Sequence, residues 1–303
     1  MTTFAQPSSP VTPSAASEKK GVARFFTRQR LGQALIHFVL SACAVTMIFP
    51  LLWLVSTSLK HPGKQFVFPP QLVPNPVYWQ NYVELFNFAP MGRFLWNSFE
   101  ISTLSVLGVC LSSAIAAFAF ARMRFRGREF LFVVLLMTMM IPYQVTVIPT
   151  FVIMRWLGWI DTHAALIVPS FFGSAFSVFL LRQFYRTIPQ DLVDAATIDG
   201  AGFVRIFWEI FVPLGMPALA TVAVFNFLWS WNDLFGPLIF LNSQDKMTVT
   251  LGLTYLRGRG GTGGGRWGVI MAGSLLGIVP ILVLYAMGQQ YFVQGLARAG
   301  LKG

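Results

Sequence analysis

Residues 182–213 read RQFYRTIPQDLVDAATIDGAGFVRIFWEIFVP, a largely polar segment set between two apolar runs. Pro189 suits the first turn of a helix, because the amide hydrogen it lacks would have had no intrahelical acceptor. Asp191 and Asp194 then fall near the positive end of that helix's dipole. Ala195 and Ala196 offer little bulk, so another surface could approach the backbone closely. Gly200 and Gly202 permit the positive φ of a sharp turn, and a bend is expected at DGAG. Beyond it Phe203, Ile206, Phe207, Ile210 and Phe211 recur at i, i+3, i+4, i+7 and i+8, giving a second helix with one apolar stripe. Pro213 then opens the next apolar run. The result is a compact knob with an acidic, small-residue tip. From these residues alone the knob serves either to enter a socket on another protein or to connect two spans.

The flanking runs set the class of protein. Of 303 residues, 55% are apolar and 11% charged, with mean hydropathy +0.64; soluble domains carry about 25% charged residues. About 20 apolar residues cross about 30 Å of hydrocarbon. Six such runs are read, at 33–55, 95–121, 130–153, 164–181, 214–241 and 269–288. Lipid offers backbone groups no partners, so each run is a helix. The expectation is an all-α, polytopic membrane protein with six transmembrane helices. The membrane domain is read at 31–303, after a disordered tail at 1–30 whose first 20 residues are rich in Ser, Pro, Thr and Ala. Leu40-Ser41-Ala42-Cys43 resembles a lipoprotein cleavage box, but the apolar run continues through IFPLLWLV, as a retained span does.

A formal charge of +11 raises the question of nucleic acid. The basic residues instead sit in short loops beside apolar runs, the pattern that fixes membrane orientation. With the amino terminus inside, 14 of the 22 Lys and Arg residues fall on the cytosolic side, including the dense turn RMRFRGR, and 8 outside. Both termini and the 182–213 loop are therefore expected in the cytosol. In the first outer loop Trp79, Tyr82, Val83 and Phe86 recur at helical spacing, as an amphipathic helix at the lipid interface would require.

Several chemistries are missing from the pattern. The glycine run RGRGGTGGGRWG lacks GxxxxGK[ST], so it is read as a loop and not a nucleotide cradle. His37, His61 and His163 are scattered, and Cys43 and Cys110 lie inside apolar runs without CxxC spacing; no metal site and no catalytic residue are expected. Polar side chains inside spans are costly and face a bundle interior or a water-filled route. The candidates are Asn226, Trp229, Ser230, Trp231, Asn232 and Asp233 in the fifth run, with Met140, Tyr143 and Gln144 near Pro142 in the third. Trp beside Asn and Asp suits a sugar route; the same groups also serve as hydrogen bonds between helices.

DAATIDGAGFVRIFWEIFVP resembles the EAA loop of ATP-binding-cassette importer permeases. SLK at 58–60, NY at 81–82, NS at 97–98, AFAFARMRFRGR, MIP at 140–142, WND at 231–233 and the terminal QQYFVQGLARAGLKG resemble the smaller-permease branch of the maltose-type carbohydrate importers. Asp194 stands where that family usually has Glu, and Val212 where it has Leu. The resemblance implies a type I importer permease fold in a bacterial inner membrane, with sugar delivered by an extracytoplasmic binding protein to a pair of permease subunits. It implies no cofactor in this chain: two partner ATPase subunits bind ATP and Mg. Asp191, Asp194, Ala195, Ala196, Asp199, Gly200, Ile210 and Pro213 would form the coupling element, Asp194 pairing with a basic ATPase residue. The GLKG tail would reach toward the ATPase dimer. An ion-coupled secondary transporter is the alternative class; it calls for an internal inverted repeat that is not seen.

Overall fold

Small residues recur along the second apolar run, and they make it the axis around which others pack. Ser98, Ser102, Ser105, Gly108, Ser113, Ala114 and Ala117 are buried along one helix, and small side chains let neighbouring backbones come close. The computed structural model describes residues 15–259 and 266–300, and every regular element among them is helical. In chain order the helices are α1 (Ala15–Ser58), α2 (Gln80–Phe88), α3 (Met91–Arg122), α4 (Arg128–Thr138), α5 (Tyr143–Trp156), α6 (Ala164–Ile167) and α7 (Ala175–Tyr185). There follow α8 (Gln190–Ile198), α9 (Phe203–Ile206), α10 (Val212–Asn232), α11 (Phe235–Phe240), α12 (Val249–Arg259) and α13 (Trp267–Gly300).

Five stretches are long and apolar enough to cross a membrane: Gly32–Ser58, Met91–Arg122, Ala164–Tyr185, Phe203–Asn232 and Trp267–Met287. The sixth, read from sequence as one run at 130–153, is α4 and α5 bent by 97°. Pro142 causes the break: it donates no hydrogen bond and disfavours helix at the residue before it. The fifth run also ends early. Helix stops at Asn232 because Asp233 turns extended, its Oδ1 accepting the amides of Phe235 and Gly236 at 3.0 and 3.2 Å and so starting α11.

Residues through Leu54 form one unit and those from Val55 a second. In the first, α1 exposes Leu35, Phe38, Val45 and Met47 around its circumference, the all-round apolar surface of a membrane span. The tail expected at 1–30 lies outside the described residues up to residue 14; from Ala15 the backbone is helical. In the second unit α3, about 48 Å long at 1.5 Å per residue, joins two cores. At one end Met91 and Phe94 pack with Leu85, Val249, Leu256 and Val269. At the other Ala117 and Phe118 pack with Tyr185, Phe207, Phe211 and Val222. The amphipathic helix expected here is α2: Trp79, Val83 and Phe86 are exposed, but Tyr82 turns inward beside buried Asn81 and Leu85 and meets Ser58 Oγ at 2.9 Å.

Buried polar side chains clip the loops to these helices. Asn81 Nδ2 donates to the carbonyls of Ser58 and Lys60 at 2.8 and 2.9 Å, and Asn97 Nδ2 to those of Asp245 and Met247 at 2.9 and 3.0 Å. Val249 N donates to Ser98 Oγ at 2.8 Å. Each replaces a hydrogen bond that water would otherwise have made. Asp161, in the left-handed region at φ 58°, ties the loop after α5 to the loop after α11 by accepting the amides of Asn242 and Ser243. The Ser243 hydroxyl, those amides and Lys246 hold its carboxyl well below the usual carboxylate range.

Candidate functional site

The loop between α7 and α10 is built as a rigid projection. Pro189 occupies the N-cap position, one residue earlier than the sequence suggested, and Asp191 lies in the first turn of α8. At the far end Gly200 has φ 79°, its amide bonding to Thr197 O at 3.0 Å while the amide of Ala201 bonds to Ala196 O at 2.9 Å. These are the two bonds of a Schellman C-cap, which requires a left-handed residue between them. Gly202 does not share that role. Its φ of −77° and ψ of 167° are extended, because it is the N-cap of α9. A single glycine therefore makes the bend.

The second helix does not end at Pro213. From Phe203 the chain is helical to Asn232, passing through one π-helical turn at Phe207–Phe211 just before Pro213. A proline ring crowds the carbonyl four residues back, and a wider turn relieves that crowding without breaking the rod. Ile210 packs on the core beside Phe207 and Phe211. The alanine pair divides: Ala196 packs with Val193 and Ala201 on the core, while Ala195 is exposed. Neighbouring residues on a helix point about 100° apart. The outward side of the projection carries Asp191, Leu192, Asp194, Ala195, Ile198 and Asp199, with Ile198 86% exposed.

One arginine anchors this projection and a second fixes the end of α7 from which it springs. Arg122, the last residue of α3, donates to Gln190 Oε1 at 2.6 Å, to the carbonyl of Tyr185 at 2.8 Å and to that of Ile188. Gln190 in turn donates to Asp194 Oδ1 at 3.0 Å, so the acid is oriented from α3 through two hydrogen bonds. Arg182 is only 5% exposed. It donates to Phe120 O at 3.3 Å and to both Glu129 oxygens at 3.2 and 3.1 Å, and stacks over Phe132 at 3.9 Å. The signal available in sequence was an arginine closing each of two apolar spans beside the polar loop.

Inside the second unit a cavity of about 190 Å³ brings together four of the residues singled out in the fifth run. Ser105, Ser170, Asn226, Ser230 and Asp233 supply its polar lining and Trp229 an aromatic one. Asn226 is committed to structure, donating to Ser177 Oγ at 3.1 Å and to Val222 O at 2.8 Å. Trp229 is 81% exposed. Trp231 is buried, its indole donating to Gly277 O at 3.0 Å, and Asn232 bonds back to Leu228 O. Met140, Tyr143 and Gln144 stand exposed at the α4–α5 break and do not line this cavity. Tyr143 reaches α11 through an edge contact with Phe235 at 5.9 Å. The glycine run at 260–265 and residues 301–303 lie outside the described residues. Among the described residues no group of His, Cys, Asp and Glu could hold a metal.

Apolar helices long enough to span, one of them broken, with a polar projection between two others, define a multi-pass helical membrane protein. Residues 108–298 match the family described as the binding-protein-dependent transport system inner membrane component. The arabinooligosaccharides transport system permease protein AraQ of Halalkalibacterium halodurans is 34% identical over 284 residues, covering 90% of this chain and 95% of its own. The sn-glycerol-3-phosphate transport system permease protein UgpE of Yersinia enterocolitica is 31% identical over 266 residues, covering 86% and 94%. A crystal structure of a bacterial ABC transporter involved in the import of the acidic polysaccharide alginate superposes with TM-score 0.76 at 23% identity, covering 88% of this chain and 98% of that one. The chain belongs to the binding-protein-dependent transport family and has its type I importer permease fold. It is the permease subunit of an ATP-driven importer, and the ion-coupled alternative is set aside.

Proposed function

We propose that this chain pairs with a second permease subunit, docks its α8 projection on one of two ATPase subunits, and passes a sugar or oligosaccharide delivered by an extracytoplasmic binding protein. The observation that carries the reading is the way the projection joins the cavity: α8 turns at Gly200 into one continuous helix, Phe203–Asn232, whose far end lines the cavity. A push on Ala195 and Ile198 passes through Val193, Ala196 and Ala201, which share a core with Ile206, Phe207 and Phe211, into a helix of about 45 Å that carries Asn226 and Trp229. Exposed apolar groups ringed by acids suit a protein interface. Asp194, held by Gln190, presents its carboxylate to a basic residue of the ATPase, and ATP with Mg is bound there and not in this chain. The arabinooligosaccharide relative and the Trp229 ring both favour saccharide. The basic balance of the loops supports both termini and the projection lying on the cytosolic side of a bacterial inner membrane.

Gly200→Trp tests the docking. Nothing lies within 4 Å of the added Cβ, so the protein has room to fold and insert. The left-handed backbone still costs an L-residue about 1–2 kcal/mol, and the indole would stand on the docking surface. Uptake and substrate-stimulated ATP hydrolysis should both be lost at normal membrane abundance; normal uptake would refute docking through this turn.

A further inference from the structure

The family leaves the sign of the solute's charge open, since one relative is named for a phosphate ester and another for a neutral oligosaccharide. The cavity carries information on that point. Among its described lining residues there is one formally charged group, Asp233, and no Lys, Arg or His. Asp233 is held by one oxygen: Oδ1 accepts the amides of Phe235 and Gly236, and Oδ2 accepts no hydrogen bond from the described residues. Gly236 makes that orientation possible, because a Cβ there would lie 2.5 Å from Asp233 Oδ2. The lining also contains Ser105, 6% exposed, whose hydroxyl has no partner among the described residues. A buried hydroxyl without a partner is costly unless a ligand or water completes it.

From this arrangement we infer that the α3–α10 cavity selects uncharged polyhydroxy solutes and rejects acid-bearing ones, with Asp233 as the discriminating group and Gly236 as its positioning residue. The inference rests on the saccharide reading above. A carboxylate accepts sugar hydroxyls, and the Ser105 hydroxyl donates or accepts as required. Trp229 offers a flat apolar face to the ring. The volume of about 190 Å³ holds on the order of ten waters, the scale of one sugar ring. An anionic solute would bring a second negative charge up to the Asp233 carboxylate with no Lys, Arg or His among the described lining residues to offset it, and like charges repel.

The test measures binding to the purified complex of both permeases and both ATPases, without the binding protein, so that its selectivity does not mask the cavity's. Calorimetric probes are the neutral disaccharides arabinobiose and maltose and the acidic disaccharide digalacturonate. Wild type should bind at least one neutral sugar, and digalacturonate at least about tenfold more weakly. Asp233→Asn keeps an oxygen for the α11 cap while removing the charge, and should narrow that gap by about tenfold or more; Gly236→Ala, which displaces the carboxylate, should narrow it less. Equal binding of neutral and acidic sugars by wild type, or an unchanged gap in Asp233→Asn, overturns the selectivity while leaving the saccharide reading intact. Binding of no saccharide by the wild-type complex removes that reading and this inference together.

Discussion

Arg122 does at the scale of one residue what no helix propensity could do. Its guanidinium ends α3 and holds three acceptors at the entrance of the projection, while stacking 5.3 Å from the Phe211 ring. Hydrogen bonds from charged groups contribute about 1.5–3 kcal/mol. Arg122→Ala should therefore destabilise the protein by about 2 kcal/mol, read as a lower apparent Tm of the detergent-purified transporter, and should uncouple ATP hydrolysis from substrate. Arg122→Lys should restore less than half of the loss, because one ammonium cannot span acceptors arranged for a planar fork.

At the scale of elements, the motifs NY and NS turn out to be clips. Asn97 sits inside α3 yet satisfies two carbonyls some 150 positions later. Asn97→Ala strands both acceptors, so amides of residues 246–250 should exchange with solvent at least about tenfold faster, at about 1 kcal/mol per lost bond. Hydrogen exchange read by mass spectrometry checks this, and unaltered exchange would show that the loop is held by its apolar packing alone. The π turn at Phe207–Phe211 is a second element-scale device. It accepts Pro213 without a hinge, and a rod without a hinge transmits displacement.

For the whole molecule the prediction concerns sidedness. With Cys43 and Cys110 replaced by serine, a single cysteine at Asp199 should react with a membrane-impermeant maleimide only in inside-out vesicles. One at Asp245 should react only in right-side-out vesicles. Added ATPase subunits should protect position 199 and not 245. Labelling of both positions from the same side would contradict a layout in which an odd number of crossings separates them, since Phe203–Asn232 is the one span between.

Much of this was legible in the sequence because it rests on local rules. Apolar length gave the spans, Gly200 the turn, and the spacing of Trp79, Val83 and Phe86 the amphipathic helix α2, though not the inward turn of Tyr82, each set by backbone sterics or by transfer from water over a short window. What failed locally failed for reasons of context. Gly202 was free to be left-handed but was drawn extended by the helix that follows it, and the third run broke at Pro142 although its apolarity is continuous. Ala195 and Ala196 are identical in sequence yet one is exposed and the other partly buried against the core, since only packing fixes which side of α8 faces it. The sequence by itself determined a helical membrane protein with one bent polar projection. Only the tertiary structure decided which arginine holds that projection, which polar residues meet in a cavity and which are spent between helices, because those pairings join residues far apart in the chain and depend on helix phase.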